Sequence, residues 1–321
     1  MPTNEKILKG TINTAAVTSG LLNKEQAKKF IQQTFEATPL GQAIRHEMRT
    51  ARTGEIDKIG ISSRIVRKKT EGVDDGYRAG ADFSKIEYST TAVRLPWEIT
   101  GETLRENIEQ AQFEKIITNL MTTQFGIDLM DLYLNSDESI SAQYDTGKKD
   151  GSDQPIMADT PDYDFLKINT GWIKQISDGG HVIDATAKSG MSLDLFYNAV
   201  KALPNKYNNG KLRWLMSPHR AQEWELYLMN QVIKNGGAVP ENTYTSPVKI
   251  PTIEVPQLSD DVILLTDPQN LVVVNTYDVQ IRKTAEGKEA IMTDKVFYNS
   301  FLDFDPVIEE LDASAIIKGL N

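Results

Sequence analysis

LPWEITGETLRENIEQAQFEKIITNLMTTQFGIDLMDLYLN, residues 95–135, changes its hydrophobic period once. Up to Ile99 the apolar residues alternate, with Val93, Leu95, Trp97 and Ile99 set against Ala92, Arg94 and Glu98. That is the period of a strand with one buried face. From Thr100 the spacing becomes helical. Thr100 or Thr103 can cap the helix, and Glu102 and Glu106 sit in its first turns, where free backbone amides favour negative charge. Leu104, Ile108 and Ala111 lead into a stripe of Phe113, Ile117, Leu120, Ile127, Met130 and Leu134. Roughly 35 residues at about 1.5 Å each predict a rod of about 50 Å, far longer than the usual helix of a globular domain. Such a helix spans a whole subunit.

Upstream, from about Glu55 to Lys69, the pattern also reads as β, with Ile59, Ile61 and Ile65 on one side. Residues 84–99 answer it. Between them lies RIVRKKTEGVDDGYRAG, residues 64–80, with Arg64, Arg67, Lys68 and Lys69, then Glu71, Asp74 and Asp75, then Arg78. Gly72, Gly76 and Gly80 punctuate it. Two long strands and a charged tip predict an extended hairpin with too few side chains for a core of its own. An isolated hairpin is marginal in water, so something outside must hold it down. A phosphate-binding role does not fit, because no helix N-terminus follows the glycines. The separated charge blocks are expected to pair with opposite signs on adjacent subunits and set register between them. A merely solvated loop is the alternative.

Residues 1 to about 20 read as an extended arm. Leu21–Thr38 reads as a helix with Asn23 as cap, Ala27, Phe30, Ile31 and Phe35 on one face, and Pro39 as its stop. A second short helix is expected through IRHEMRTAR, where Arg45, Arg49 and Arg52 share a side at i, i+4, i+7 spacing. That side is either a solvated or salt-bridged face, or a contact to a neighbouring subunit or enclosed polyanion. Residues 135–162, rich in Ser, Asp, Gly and Lys, read as a surface loop or small insertion. An α/β region follows. HVIDAT (181–186) and KLRWLMS (211–217) are strands, LDLFYNAVKALPNKY (193–207) and PHRAQEWELYLMNQ (218–231) are helices, and Val262–Thr266 and Leu271–Asn275 are apolar strands joined by Asp267-Pro268. The C-terminal stretches YDVQIRKT, KEAIMTDKVFYNSFLDF and PVIEELDASAIIKGL are β-rich, and no internal repeat is visible.

Lys and Arg total 35 against 45 Asp and Glu, a formal net charge of −10. That excludes a whole-protein electrostatic footprint for nucleic acid, so any such contact is local. The 321 residues contain no cysteine, which removes disulfides, thiol nucleophiles and Cys-ligated metals. No secretory leader and no apolar run of membrane-spanning length is present, so a soluble protein without membrane partner is expected. His46, His181 and His219 lie far apart, without metal-ligand spacing. Asp145-Thr146-Gly147 matches the triplet of aspartic proteases, but SAQYDTGKKDG is a polar context rather than an apolar strand. Gly147 and Lys149 spoil a calcium loop, and NNGKLR lacks the parts of a phosphate loop. Trp97, Trp172, Trp214 and Trp224 have apolar neighbours and read as core. No catalytic residue, metal site or cofactor is expected.

The order of features carries a resemblance. A polar arm, a hairpin ending in LPWEITGETLRENIEQ, a spine-length helix, and an α/β region with RWLMSPHRAQEW and VPQLSDDVILLTDPQNLVVV resembles a tailed-bacteriophage major capsid protein of the Hong Kong 97 fold, shared with encapsulin shells. It covers about residue 21 to the end. The resemblance implies an α+β fold with residues 1–54 as N-terminal arm and 55–99 as an extended loop reaching over a neighbour. Residues 100–162 become a first part of a peripheral domain with the spine helix, 163–275 an axial domain, and 276–321 the peripheral domain's return.

It also implies a shell of hexamers and pentamers around double-stranded DNA, located in the virion capsid and assembled in the host cytoplasm. A separate scaffolding protein, a portal and a decoration protein are the implied partners. No long helical N-terminal extension of the kind some relatives use as a fused scaffold is expected, so either a separate scaffolding protein acts or none is needed. Lys68, Lys69 and many asparagines give no pairing for a crosslink, so none is expected. DNA contact would be non-specific, through basic patches such as Arg45, Arg49 and Arg52. Competing readings are an encapsulin-like compartment, a hydrolase using Asp145, and a tail-tube or adaptor protein.

Overall fold

The structure, a computed structural model, describes residues 38–320 apart from 62–63, 69–70, 73–75, 101–110, 141–143, 150–154, 158–162, 187–189, 235–245 and 277–279. The expected arm, and the helix over 21–38 up to its last residue, lie outside the described residues. So do Leu104 and Ile108. Thr38 caps α1 (Pro39–Ala43), its hydroxyl oxygen accepting the Gly41 amide at 3.1 Å. Pro39, read as a stop, is therefore also a start, in the first-turn position where its missing N–H is harmless. IRHEMRTAR is not a helix. Its first half is β1 (Arg45–Met48), parallel to residues 272–275. The arginine spacing imitated a helical face, but a distant apolar strand supplies the backbone partners.

β2 (Thr53–Gly60) and β3 (Asp82–Ser89) pair antiparallel, Thr53 opposite Ser89 and Gly60 opposite Asp82. β4 (Thr91–Thr100) does not continue that hairpin. It runs against residues 295–304 of another strand. The hairpin is thus shorter than the sequence suggests, and the alternation at Val93–Ile99 belongs to a larger sheet. Pro96 is tolerated there because β4 is an edge strand. α2 (Ala111–Asn135) contributes 25 described residues, a rod of about 37 Å. Within the expected insertion, β5 (Tyr144–Lys149) and β6 (Pro155–Met157) form a small antiparallel pair.

α3 (Tyr163–Leu166), α4 (Trp172–Gly179), β7 (His181–Asp184), α5 (Leu193–Ala202), β8 (Arg213–Met216), α6 (Pro218–Lys234), β9 (Thr252–Glu254) and β10 (Val262–Thr266) follow. The chain ends with β11 (Leu271–Asn275), β12 (Gln280–Thr284), α7 (Lys288–Thr293), β13 (Lys295–Ile308) and β14 (Ala315–Lys318). α7 replaces the start of an expected strand. Asp294, at φ 50°, stops it and turns the chain into β13.

Two sheets organise the described chain. In the first, Phe304 pairs with both Thr91 and Asn275, so β4 flanks one side of β13 while β11 and then β12 flank the other, with β1 beyond β11. The second runs β7-β14-β10-β8-β9. β10 and β11, separated only by the turn Asp267–Asn270, therefore enter different sheets. β11 sides with β13, and the last strand, β14, joins the second sheet.

β10 and β11 are buried at every position, as continuous apolar runs covered on both faces must be. Leu264, Leu215 and Ile316 of the second sheet meet Leu271, Val273 and Phe304 of the first in one core, completed by Leu129, Met130, Tyr133 and Leu134 of α2 and Trp172 of α4. The opposite face of the second sheet packs Trp214, Ile263 and Ile317 against Phe196 of α5 and Trp224 of α6. Phe196 stands edge-on to Trp214 at 4.9 Å. All four tryptophans are buried, as the sequence implied.

Candidate assembly surface: a hairpin held at its root and bare at its end

Strict alternation gives the β2–β3 hairpin two faces. The inner face carries the pairs Gly54/Tyr88, Ile56/Ile86 and Lys58/Ser84, and the outer face carries Glu55/Glu87, Asp57/Lys85 and Ile59/Phe83. Ile56 and Tyr88, both 7% exposed, close a small core with Val272, Val274 and Val307, against which Ile86 packs. These valines are the β11 and β13 side chains facing away from the main core. Glycine is required at 54, because a Cβ there would stand 2.6 Å from the Tyr88 hydroxyl. So the chain itself holds down the hairpin's root, which the sequence alone had left to outside partners.

Polar contacts reinforce that root. The Ser89 amide donates to Asp305 Oδ2 at 2.7 Å, and the Thr90 amide donates to the Arg52 carbonyl at 2.8 Å. Arg52 Nε reaches Asp303 Oδ2 at 3.0 Å, where the Asp303 side chain is only 4% exposed, and the Thr276 hydroxyl donates to the same oxygen. Burial, with a smaller push from Glu138, raises the Asp305 carboxyl to about 6 against the pull of the Ser89 amide. Lys58 pairs with Glu310 and donates to the Glu309 carbonyl at 3.3 Å. Burial holds its ammonium below the ordinary value, outweighing the attraction of Glu309.

Beyond Lys58 the covering stops. Ile59 is 67% exposed and its cross-strand partner Phe83 76%, and Ile61, Ile65 and Val66 are exposed as well. At the tip, Arg64, Arg67, Lys68, Glu71 and Arg78 are exposed, while Lys69, Asp74 and Asp75 lie outside the described residues. Arg67 stacks over the Tyr77 ring at 4.5 Å, and Arg78 donates to the Tyr77 carbonyl at 2.9 Å. Gly72 and Gly76 take positive φ, 74° and 69°, which explains glycine at both.

Arg45, Arg49 and Arg52 do not form one basic face. Arg45 pairs with Glu309 at 2.6 Å and Glu47 at 3.4 Å, and Arg49 pairs with Glu47 at 2.8 Å. Their neighbours are carboxylates of their own chain, the salt-bridged alternative. The sequence reading missed Asp303, Asp305 and the Lys58–Glu310 pair. Acids alternating inside the apolar run LDFDPVI were the available signal, since a buried carboxylate demands a partner.

His219 does have a carboxylate neighbour, Asp260, at 3.2 Å, and the Ser217 hydroxyl donates to the same carboxylate. These hydrogen bonds hold the Asp260 carboxyl below its ordinary value. The order is wrong for nucleophilic catalysis: the aspartate stands between serine and imidazole, so the serine hydroxyl is bonded to the weakly basic carboxylate and not to the imidazole. Ser217 instead caps α6 by accepting the Arg220 amide at 3.3 Å. His46 is half-buried, with Nε2 at 3.2 Å from the Gly41 carbonyl, and burial lowers its pKa. Among the described residues, no group of three His, Asp or Glu is placed to hold a metal ion.

No protein-family model matches the chain. Its sequence is 25% identical over 338 aligned positions to YqbE of Bacillus subtilis (strain 168), a protein named for a prophage capsid, covering 99% of this chain and 98% of that protein. Among solved structures, the satellite phage P4 procapsid that includes the size determination (Sid) protein matches with a TM-score of 0.63 at 14% identity, over 100% of this chain and 98% of that one. The capsid of an empty GTA particle matches at 0.54 and 11% identity, over 89% and 90% of the two chains. Gordonia phage Cozz matches at 0.53 and 14% identity, over 88% and 86%. The fold is the phage capsid fold of Hong Kong 97 type, as the order of features in the sequence implied.

Proposed function

We propose that the protein is a major capsid protein of a tailed phage or prophage, a structural subunit that assembles with copies of itself into a closed shell and catalyses no reaction. The observation that carries this is the capsid fold over the full length of the chain, joined by a sequence relative over nearly all of it that is named for a prophage capsid. The hairpin fits such a role. An exposed Ile59–Phe83 pair on a projecting arm is costly in an isolated subunit and is removed from water when another copy covers it.

In this reading residues 55–89 are the extended loop that reaches a neighbour. Its tip residues Arg64, Arg67, Lys68, Lys69, Glu71, Asp74, Asp75 and Arg78 meet charges of opposite sign there. The sheet of β13 with α2 forms the peripheral domain, and the sheet of β10 with α5 and α6 forms the axial domain around the local axes of hexamers and pentamers. The shell encloses double-stranded DNA and assembles in the host cytoplasm with a separate scaffolding protein, a portal and a decoration protein. Contact with DNA is non-specific and salt-sensitive. Of the three arginines near the arm, Arg52 is the most exposed, at 62%, with its guanidinium shared with Asp303. Among the described residues no helix is long and apolar enough to cross a membrane.

Negative-stain electron microscopy of the expressed protein tests this. Closed shells, or sheets and tubes built of rings, are expected, and shells recovered from an induced lysogen are expected to protect DNA from nuclease. Particles of monomer size at every concentration refute the shell role. Shells that hold protein cargo and no protected DNA replace the genome container with an encapsulin-like compartment.

A further inference from the structure

The chain passes between the two sheets at the turn 267–270 and again at 309–314, and the two crossings lie side by side. Asn270 pins them together. Its amide nitrogen donates to the Glu310 carbonyl at 2.9 Å, Ser314 Oγ at 3.0 Å and Thr266 Oγ1 at 3.2 Å, while its amide oxygen accepts the Glu310 amide at 2.8 Å. The Glu309 amide donates to the Asn270 carbonyl at 3.0 Å. Asn270, Thr266 and Ser314 are all buried. This is the junction between the two sheets.

Lys58 of the hairpin is tied to the same junction. It follows Gly54 and Ile56 on the inner face of β2, and its ammonium meets the Glu310 carboxylate and the Glu309 carbonyl. Its side chain is only 25% exposed. Beyond it on the hairpin, Ile59 and Phe83 are bare. Closer to the root the hairpin rests on Val272 and Val274 of β11 and Val307 of β13. At Lys58 it grips the segment that crosses from one sheet to the other.

We propose that Lys58 is a strap coupling the direction of the projecting hairpin to the junction between the two sheets, so that a turn of one sheet against the other is felt by the arm. Its use rests on the shell reading: a subunit placed in rings of different curvature must adjust its arm and its inter-sheet angle together. The coupling itself is a property of the single subunit.

Hydrogen exchange by mass spectrometry on the full chain, held as dissociated subunits, reads it without requiring assembly. Lys58→Met and Glu310→Gln are each expected to speed exchange of 53–60 and 82–89 about fivefold, the effect of losing a partly screened ion pair. Exchange of 193–202 and 218–234 stays unchanged. The swapped pair Lys58→Glu with Glu310→Lys restores slow exchange. Ser314→Ala, which removes one bond of the pin, speeds hairpin exchange in the wild-type background and not in Lys58→Met. Unchanged exchange in both single variants overturns the strap, as does an effect of Ser314→Ala that simply adds to Lys58→Met. Absence of particles in the microscope refutes the shell role and leaves this result standing.

Discussion

Asp305 is the residue at which the arm's attachment responds to pH. Its carboxyl is raised to about 6, burial being the main cause, from an ordinary carboxylate value of about 4. The fold therefore favours the protonated acid. The stability this group contributes is complete below about pH 4 and is lost as pH rises through about 6. Asp305→Asn keeps an oxygen to accept the Ser89 amide and cannot ionise. Thermal unfolding from pH 4 to 7.5 is expected to show the wild type losing stability relative to Asp305→Asn across that interval, with no further divergence above it. A difference independent of pH contradicts the assignment. Little of this was legible in LDFDPVI. The sequence displays Asp303 and Asp305 as acids in an apolar strand, but their partners, Arg52 and the Ser89 amide, arrive from the root of the hairpin, more than 200 residues away.

In the proposed shell the hairpin is the element on which assembly turns, and its outer face makes a prediction. On the outer face, Ile59→Glu and Phe83→Glu place charge where side chains are already in water, so subunit stability is expected to stay within about 0.5 kcal/mol of wild type. Shell yield is expected to collapse, because a buried unpaired carboxylate at the contact is costly. Normal shells from both variants, counted by microscopy beside calorimetry of the subunit, remove the hairpin's apolar end from the interface.

The hairpin's existence was readable from alternation and from Gly72 and Gly76, but its length was not. Val93–Ile99 alternates as well as Ile59–Ile65 does, and only pairing with β13 assigns it elsewhere. The same limit explains β1, where arginines at helical spacing lie on a strand whose partner, β11, is remote in the chain. Strands 262–266 and 271–275 and the helices of the α/β region were recoverable because their burial is dictated locally.

At the scale of the molecule, the sequence supports a capsid fold through the order of its parts, and the structure agrees over the full length of the chain. The distribution of strands between the sheets was hidden. Four residues, Asp267–Asn270, carry the chain from one sheet to the other, and nothing in a short apolar run states which sheet it joins. The consequence is a body with two cores, a pinned junction, and an arm that is fastened at its root and bare beyond Lys58. In the proposed shell, another copy of the chain covers that bare end. Hydrogen exchange of residues 59–66 and 82–84, compared between purified shells and the same protein dissociated, tests it most directly. Strong protection in the shell, lost on dissociation, is the predicted result, and equally fast exchange in both states contradicts the claim.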